Sequence, residues 1–243
     1  QNRSLYYIQD VATGFSLARY DLDTSTHTVL GNLDVKASGN WSYDPSARPN
    51  NLEFSGGSLY YIHPNTDDLV RVMLSGNTIV DQLKVADISG NTSNFGGGVT
   101  ELTIGSDGML WISAVSGLYK YNLSLLTGFT TVATGATFSG IFFDQNGNDL
   151  YGTTFAAQST VHSVNQTSGA MTPIAVTAPS ITFEDFGSYP PVPPSPVGSY
   201  YAVNGTRTLY LMDQLTGGVS AANAGAPFEM SAVAYDGDNN LVY

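Results

Sequence analysis

The residues of this chain that could carry chemistry are mainly candidate acceptors of sugar. Six asparagines stand in the N-x-S/T pattern of N-glycosylation, none with proline in the middle, and they are Asn2, Asn40, Asn91, Asn122, Asn165 and Asn204. Asn122 and Asn165 fall in the same turn of successive repeats, where an acceptor is exposed. We therefore predict N-glycosylation at these positions. The alternative is that asparagine stands there for its turn geometry alone.

A second group of candidate modification sites lies in a proline-rich run at 189–197. Its members are Pro190, Pro191, Pro193, Pro194, Ser195 and Pro196. So many prolines favour an extended polyproline II segment, whose simplest role is a stiff loop. The composition resembles the hydroxyproline-rich, O-glycosylated runs of algal and plant extracellular matrix proteins. That resemblance implies sugar on the prolines and on Ser195. Docking into an aromatic-lined groove of a neighbour is the other alternative.

Metal-binding patterns are weak. His27, His63 and His162 stand in different repeats, and none has a second histidine or a carboxylate at ligand spacing. The oxygen-rich loops at 144–149 and 236–240 would suit calcium, but both lack the EF-hand spacing. Both also coincide with a turn found in every repeat, where Asn and Asp favour tight backbone geometry. The glycine-rich loop at 94–98 has no following lysine, so it does not indicate a phosphate site. We predict no metal and no cofactor.

One pair of carboxylates could serve catalysis. Glu184 and Asp185 are adjacent in a predicted strand, so they point to opposite faces and one of them could face a central channel. Acid–base hydrolysis needs a second carboxylate at a set distance, which the spacing does not supply. We find no catalytic residues in the sequence and predict that the chain is not an enzyme.

Composition narrows the class of partner. Only 12% of the 243 residues are charged, against about 25% in an average domain. The net charge of −12 argues against nucleic acid and anionic lipid as partners. No apolar run reaches the ~18 residues of a membrane helix, so membrane insertion is not expected. The chain contains no cysteine, which does not fix the compartment. It begins with Gln1 rather than Met and shows no signal peptide, which suits a processed, secreted protein. We predict an extracellular or cell-surface location.

The elements that must position these residues are short strands in a repeated unit. Residues 102–135 contain four runs rich in β-branched and aromatic residues, separated by Gly, Asn, Asp and Ser. We name the four strands a to d. The a–b turns line up at 55–57, 106–108, 145–147 and 236–238, and each is followed by a b strand opening at Leu59, Leu110, Leu150 or Leu241. Self-similarity at roughly 40–54 residues with four strands per copy predicts an all-β β-propeller. A single domain would span 1–243.

The sequence can be read as five or as six blades. Counting a strands gives five blades, whereas counting b strands gives six, because both the 5–8 and the 241–243 segments qualify. The first copy lacks strand a, and the last copy supplies one. We therefore expect the C-terminal strand to complete the first blade and close the ring.

The repeat resembles that of a broad group of secreted or cell-surface β-propeller proteins with blades of the form LYxxD…LYRYDL-x-TG. The matching segments are Leu5-Tyr6-Tyr7, the run ARYDLD at 18–23 and Leu118-Tyr119-Lys120-Tyr121. The WD dipeptide, the kelch double glycine and an intact sialidase Asp box are all missing. The resemblance implies the fold, and propellers serve as enzymes, lectins and scaffolds alike.

Three functions follow as hypotheses. The first is a glycosylated structural or adhesive protein, a subunit of a cell-surface fibril, whose partners are other copies of itself or other extracellular glycoproteins and glycans. The second is a carbohydrate-binding propeller in which Tyr60, Trp111 and Tyr151 stack on sugar. The third is a glycoside- or lactone-acting hydrolase that uses carboxylates such as Glu184 in the channel.

Overall fold

The protein is built from short antiparallel β-strands. A computed structural model describes residues 4–11, 14–21, 24–33, 49, 51–55, 57–64, 66–88, 98–135, 137–144, 147–176, 185–187, 199–204, 208–213, 219–223, 235–236 and 241–242. All regular secondary structure within these ranges is β-strand. None of the described segments forms an apolar helix of membrane-spanning length.

The strands fall into six hydrogen-bonded sheets in chain order. The first has three strands: β1 (Ser4–Val11), β2 (Gly14–Asp21) and β3 (Thr26–Asn32). The second contains β4 (Glu53–Ser55), β5 (Ser58–Ile62), β6 (Asp68–Ser75) and β7 (Thr78–Asp87). The third contains β8 (Val99–Ile104), β9 (Met109–Ala114), β10 (Gly117–Asn122) and β11 (Thr127–Thr134).

The remaining sheets complete the chain. The fourth contains β12 (Phe138–Phe143), β13 (Leu150–Thr154), β14 (Ala157–Val164) and β15 (Met171–Val176). The fifth contains β16 (Asp185–Gly187), β17 (Ser199–Asn204), β18 (Thr208–Asp213) and β19 (Val219–Asn223). A hairpin of β20 (Tyr235–Asp236) and β21 (Leu241–Val242) ends the described part.

The four-stranded sheets stand in a ring. Their first strands, β4, β8, β12 and β16, follow one another as neighbours, so they form the inner wall, and the fourth strand of each sheet lies outside. Each sheet is an antiparallel meander in sequence order. The fold is therefore a β-propeller with four complete blades, numbered two to five here after the three-stranded sheet, which is sheet one. This confirms the predicted architecture.

The predicted counts of five or six blades, and closure of the ring by the C-terminal strand, are not supported. Sheet one has three strands, and within the described residues the β20–β21 hairpin pairs only with itself. β21 lies beside β1, but no described ladder joins them. The prediction failed because a leucine followed by an aromatic or branched residue suits any half-buried strand. Leu5 and Leu241 therefore look alike in sequence whether or not their blade is complete.

The core lies between the faces of neighbouring sheets. In β9, Leu110 and Ile112 pack toward blade two, whereas Trp111 packs toward blade four with Ile141 and Phe143. This follows from the period of two, because successive side chains of a strand point to opposite faces of its sheet. Both faces of an internal blade are thus buried, and only the loops and the outer strands remain for contact with other molecules.

Candidate functional site

The outer strands form the rim of the propeller, and the rim carries most of the exposed apolar side chains. Among the described residues the large exposed hydrophobics are Val29, Val80, Leu125, Leu126, Phe155 and Ile174. All except Phe155 lie in an outer strand or in the turn that leads into one. Single exposed apolar residues are ordinary, but Leu125 and Leu126 are adjacent and exposed together.

β11 is the least protected of the longer outer strands. Natural sheet edges are usually blocked by charge or proline, and β7 carries Asp81, Lys84 and Asp87, whereas β15 carries Pro173. β11 has the sequence TGFTTVAT, without charge, histidine or proline. On one side it pairs with β10, with two register shifts, and no described strand pairs with its other side.

The exposed part of this edge is its first half. Leu125 and Leu126, in the preceding turn, are 69% and 49% exposed. Thr127, Thr130 and Thr131 are also exposed, whereas the ring of Phe129 stacks on Tyr119 at 5.3 Å and anchors the strand to its blade. We call residues 125–131 the β11 edge.

Two predicted glycan acceptors shape the turns between third and fourth strands. The Oδ1 atom of Asn122 accepts the backbone N–H of Leu125 at 2.9 Å, and that of Asn165 accepts the N–H of Ser168 at 3.0 Å. Asp21 makes the same bond to Thr24 in sheet one. The position therefore requires a side-chain oxygen, as the turn-geometry alternative expects. A glycan would attach to the other amide atom, Nδ2, so the two roles are compatible.

The other predicted modification sites are described only in part. Asn204 is the last residue of β17. Asn2, Asn40 and Asn91 lie outside the described residues, as do Glu184 and the whole proline-rich run at 189–197. Of the three described sequon asparagines, Asn122, Asn165 and Asn204, none falls within an outer strand.

The three histidines are placed apart, in three different sheets. His27 is exposed, with Nε2 3.0 Å from Gln9 Oε1. His63 is buried in a turn where its backbone N–H donates to the carbonyl of Asp68, and His162 lies in β14 opposite Gly152. In the described part of the chain, no three His, Asp or Glu residues are grouped so that they could hold a metal ion.

The acidic loop after β12 is organised by its own backbone. Asp144 Oδ1 accepts the N–H groups of Asn148 at 2.6 Å and Asp149 at 2.9 Å. These two bonds hold the turn in shape around Asp144 Oδ1. The loop also joins two blades, because the N–H of Ser106 donates to the carbonyl of Gly147 at 2.9 Å. Residues 145–146 and 237–240 of the two candidate calcium loops lie outside the described residues.

The aromatics predicted to stack on sugar occupy one register position in three blades. Tyr60 pairs with Glu53, Trp111 with Thr103 and Tyr151 with Phe142.

The exposure of these aromatics does not fit the prediction. Trp111 is only 2% exposed and packs edge-on against Phe143 at 6.0 Å, with Lys120 Nζ 5.6 Å from its ring. Tyr60 is half-buried against the core between blades two and three, and Tyr151 stacks on Phe142 at 5.6 Å. A sugar has no open face on Trp111. For Trp111 the hypothesis is wrong because β9 is buried on both faces.

A charged cluster at the end of blade two was not predicted. Lys84 Nζ lies 2.6 Å from Asp68 Oδ1 and 3.1 Å from Asp87 Oδ2. Burial, followed by the neighbouring charges of Asp68 and Asp87, raises the pKa of Asp67. The hydrogen bond to Asp68 raises the pKa of Lys84. Asp68 begins β6, whereas Lys84 and Asp87 lie at the end of β7. They meet only because the β6–β7 register pairs Asp68 with Asp87.

A buried carboxylate on the inner wall was also missed. Glu101 in β8 is fully buried, and its Oε1 accepts the N–H of Leu102 at 2.9 Å. Beside it, Thr100 Oγ1 lies 2.8 Å from Ser113 Oγ and donates to the carbonyl of Phe138 at 3.1 Å. The only signal in the sequence is a glutamate at the start of the otherwise uncharged strand ELTI.

The sequence matches no protein-family model and no curated protein. Solved structures do resemble it. A chain of the nidogen/laminin complex has a TM-score of 0.62 at 11% identity, over 98% of this chain and 83% of that one. A protein of unknown function from Bacteroides thetaiotaomicron gives 0.61 at 13%, over 98% of this chain, which spans 65% of that protein. Luciferin-regenerating enzyme gives 0.56 at 10%, over 98% and 77%.

These likenesses establish the fold. The chain is a β-propeller. They also correct one prediction: inferring that the chain is not an enzyme, because no catalytic constellation is readable, was wrong. Luciferin-regenerating enzyme has the same fold, so chains of this fold include enzymes. At 10% identity the likeness assigns no reaction to this chain.

Proposed function

We propose that this protein is an extracellular, glycosylated β-propeller with a structural or adhesive role, and that it assembles with other copies of itself at the cell surface. The observation that carries the proposal is the β11 edge, which is exposed, uncharged and unblocked by proline. An edge strand presents backbone N–H and C=O groups that can pair with another strand. An exposed outer strand of this kind suits edge-to-edge contact between two propellers.

A second copy of the chain is the partner that this edge fits best. Two β11 strands related by a two-fold axis would pair antiparallel, placing Thr130 and Thr131 opposite uncharged side chains. Cross-strand threonine pairs are favourable, whereas a charged strand would bury unpaired charge. Such a contact is two-fold and gives a dimer. Growth into a fibril needs a second edge, and β3, with Val29 49% exposed and no Lys, Arg, Asp or Glu, is the candidate.

Three further observations support this role. Only 12% of the residues are charged, so the surface suits either a sugar coat or protein contacts. The described sequon asparagines, Asn122, Asn165 and Asn204, all lie outside the outer strands. The fold is shared with a chain found in a nidogen/laminin complex, where a propeller belongs to a protein–protein assembly.

A charge placed in the β11 edge tests the assembly. In Thr131→Lys a like charge would face its own copy across the contact, so self-association measured by analytical ultracentrifugation should weaken about tenfold or more, or about 1.4 kcal/mol. Thr78→Lys, an exposed threonine in the already charged β7, should have no effect. Wild-type protein that stays monomeric at every concentration would refute the proposal, as would equal effects of the two variants.

Mass spectrometry of native material tests the glycan part separately. Peptides that contain Asn122 and Asn165 should carry hexose-bearing glycans. If all six sequons are bare, the asparagines serve their turns only and the extracellular assignment fails, whatever the rim does.

A further inference from the structure

Three buried polar atoms in blade three have no hydrogen-bond partner among the described residues. They are Glu101 Oε2, Thr103 Oγ1 and Trp111 Nε1. Their residues are 0%, 1% and 2% exposed, so bulk water does not solvate them. Buried polar atoms in folded proteins are nearly always paired with protein or with a bound molecule. A group of three at one place therefore requires an explanation.

The three groups lie on the same face of the blade. Glu101 and Thr103 are two residues apart in β8 with no register shift between them, and Thr103 pairs directly with Trp111 in β9. Side chains with these relations are neighbours on one side of a sheet. The face looks toward blade four, because Trp111 packs there with Ile141 and Phe143.

Other buried hydroxyls nearby are satisfied. Ser139 Oγ lies 2.8 Å from Thr153 Oγ1 in blade four, and Thr100 Oγ1 lies 2.8 Å from Ser113 Oγ in blade three. Hydroxyls close to the three groups therefore do find protein partners. The unpaired set at Glu101, Thr103 and Trp111 indicates a guest molecule.

The chemistry of the three groups selects the guest. An ionised carboxylate only accepts hydrogen bonds, an indole N–H only donates, and a threonine hydroxyl does both. A cation would be opposed by the indole N–H and an anion by the carboxylate. We propose that this face is a buried binding site for a small neutral molecule that bears a hydroxyl group. Its O–H donates to Glu101 Oε2, and its oxygen accepts from Trp111 Nε1. Water and a small alcohol share this chemistry.

Whether Thr103→Val lowers the melting temperature, or leaves it unchanged or raised, tests whether the site is occupied. Thr103→Val keeps the shape of the side chain and removes the hydroxyl. If a guest is bound, the variant should lower the melting temperature by a few degrees, as Thr153→Val should by breaking its known bond to Ser139. If the site is empty, Thr103→Val removes an unpaired polar group, and the melting temperature should stay or rise, because unpaired buried groups are destabilising. That result overturns the proposal. Thr103→Ser, which keeps the hydroxyl, separates this effect from loss of packing.

A second measurement identifies the guest. The chain has two tryptophans, so Trp41→Phe leaves Trp111 as the sole indole reporter while keeping the Asn40 sequon. Titration with glycerol should give a saturable change in Trp111 emission if an alcohol enters. That change should be lost in Glu101→Gln, which replaces an acceptor by a donor. A lowered melting temperature for Thr103→Val without a glycerol response assigns the site to water. No response together with an unchanged or raised melting temperature rejects the site.

Discussion

Replacing Gly147 by alanine should weaken the joint between blades three and four. Gly147 has φ +69°, and an added Cβ would lie 2.6 Å from Ser106 N and 3.0 Å from Ser106 Cβ. The left-handed backbone costs about 1–2 kcal/mol for a residue with a Cβ. Separating the turns also breaks the bond from Ser106 N–H to the Gly147 carbonyl, about 1 kcal/mol. The free energy of unfolding should therefore fall by about 2–4 kcal/mol. This figure adds the backbone cost, the lost hydrogen bond and the part of the clash that the turns cannot relax.

Calorimetry can resolve this change. At about 2.1 cal/mol/K per residue the unfolding entropy of this chain is about 0.5 kcal/mol/K, so the melting temperature should drop by about 4–8 °C. Gly57→Ala is the matched control, since Gly57 occupies the corresponding turn of blade two with φ +76° and nothing within 4 Å of its Cβ position. It should lose about half as much, from the backbone alone. Equal losses in the two variants would refute the claim that Gly147 is needed for contact between blades.

Three further changes follow from local geometry, each read by thermal unfolding. The raised pKa of Asp67 means that its ionised form is unfavourable in the folded protein. The charged Asp67 therefore destabilises the protein at neutral pH, and this destabilisation disappears as the pH falls through the raised pKa to the ordinary value of 3.8. Asp67→Asn should thus stabilise the protein at pH 7, and the gain should disappear below about pH 3.8; a gain independent of pH would contradict this cause. Asn165→Ala should cost about 1 kcal/mol through the lost turn bond, whereas Asn165→Asp should cost little; equal losses would argue against the turn role. Leu126→Gly should gain about 1 kcal/mol, because Leu126 is exposed with φ 51°; a loss would show that Leu126 makes a stabilising contact.

Much of the fold can be predicted from the sequence because turns and strand openings recur. The unit predicted at 102–135 corresponds to β8–β11 at 99–134. The turn after Leu102-Thr103-Ile104 contains Gly108 at φ +73°, as its SDG sequence indicates. The pattern fails where it must distinguish a complete blade from a partial one, since that depends on which strands form ladders and not on their individual composition.

The candidate sites also divide into those that local sequence predicts and those that depend on the pairing of strands. The turns at Asn122 and Asn165 are local, and their side-chain bonds span three residues, so sequence predicts their position. The Glu101 site and the Lys84 cluster depend on register between strands, which one strand's sequence does not contain. Trp111 was named as an aromatic that could stack on sugar, and alternation shows only which residues share its face. Alternation does not show whether that face is covered, and in a propeller the next blade covers it.

The architecture itself indicates where function can differ between propellers of low identity. Neighbouring blades bury one another's faces, so most residues of the four-stranded unit are constrained to be apolar and of fitting size. Structures at 10–13% identity keep this arrangement over 98% of the chain, so the blade pattern tolerates almost complete replacement of its side chains. Residues that break the pattern are then the informative ones: an outer strand without charge or proline, and a fully buried glutamate in an inner strand. The β11 edge and the Glu101 site are such exceptions. Neither is needed to build a blade. An uncharged edge carries a cost through aggregation, and a buried carboxylate with one unpaired oxygen carries a cost through desolvation.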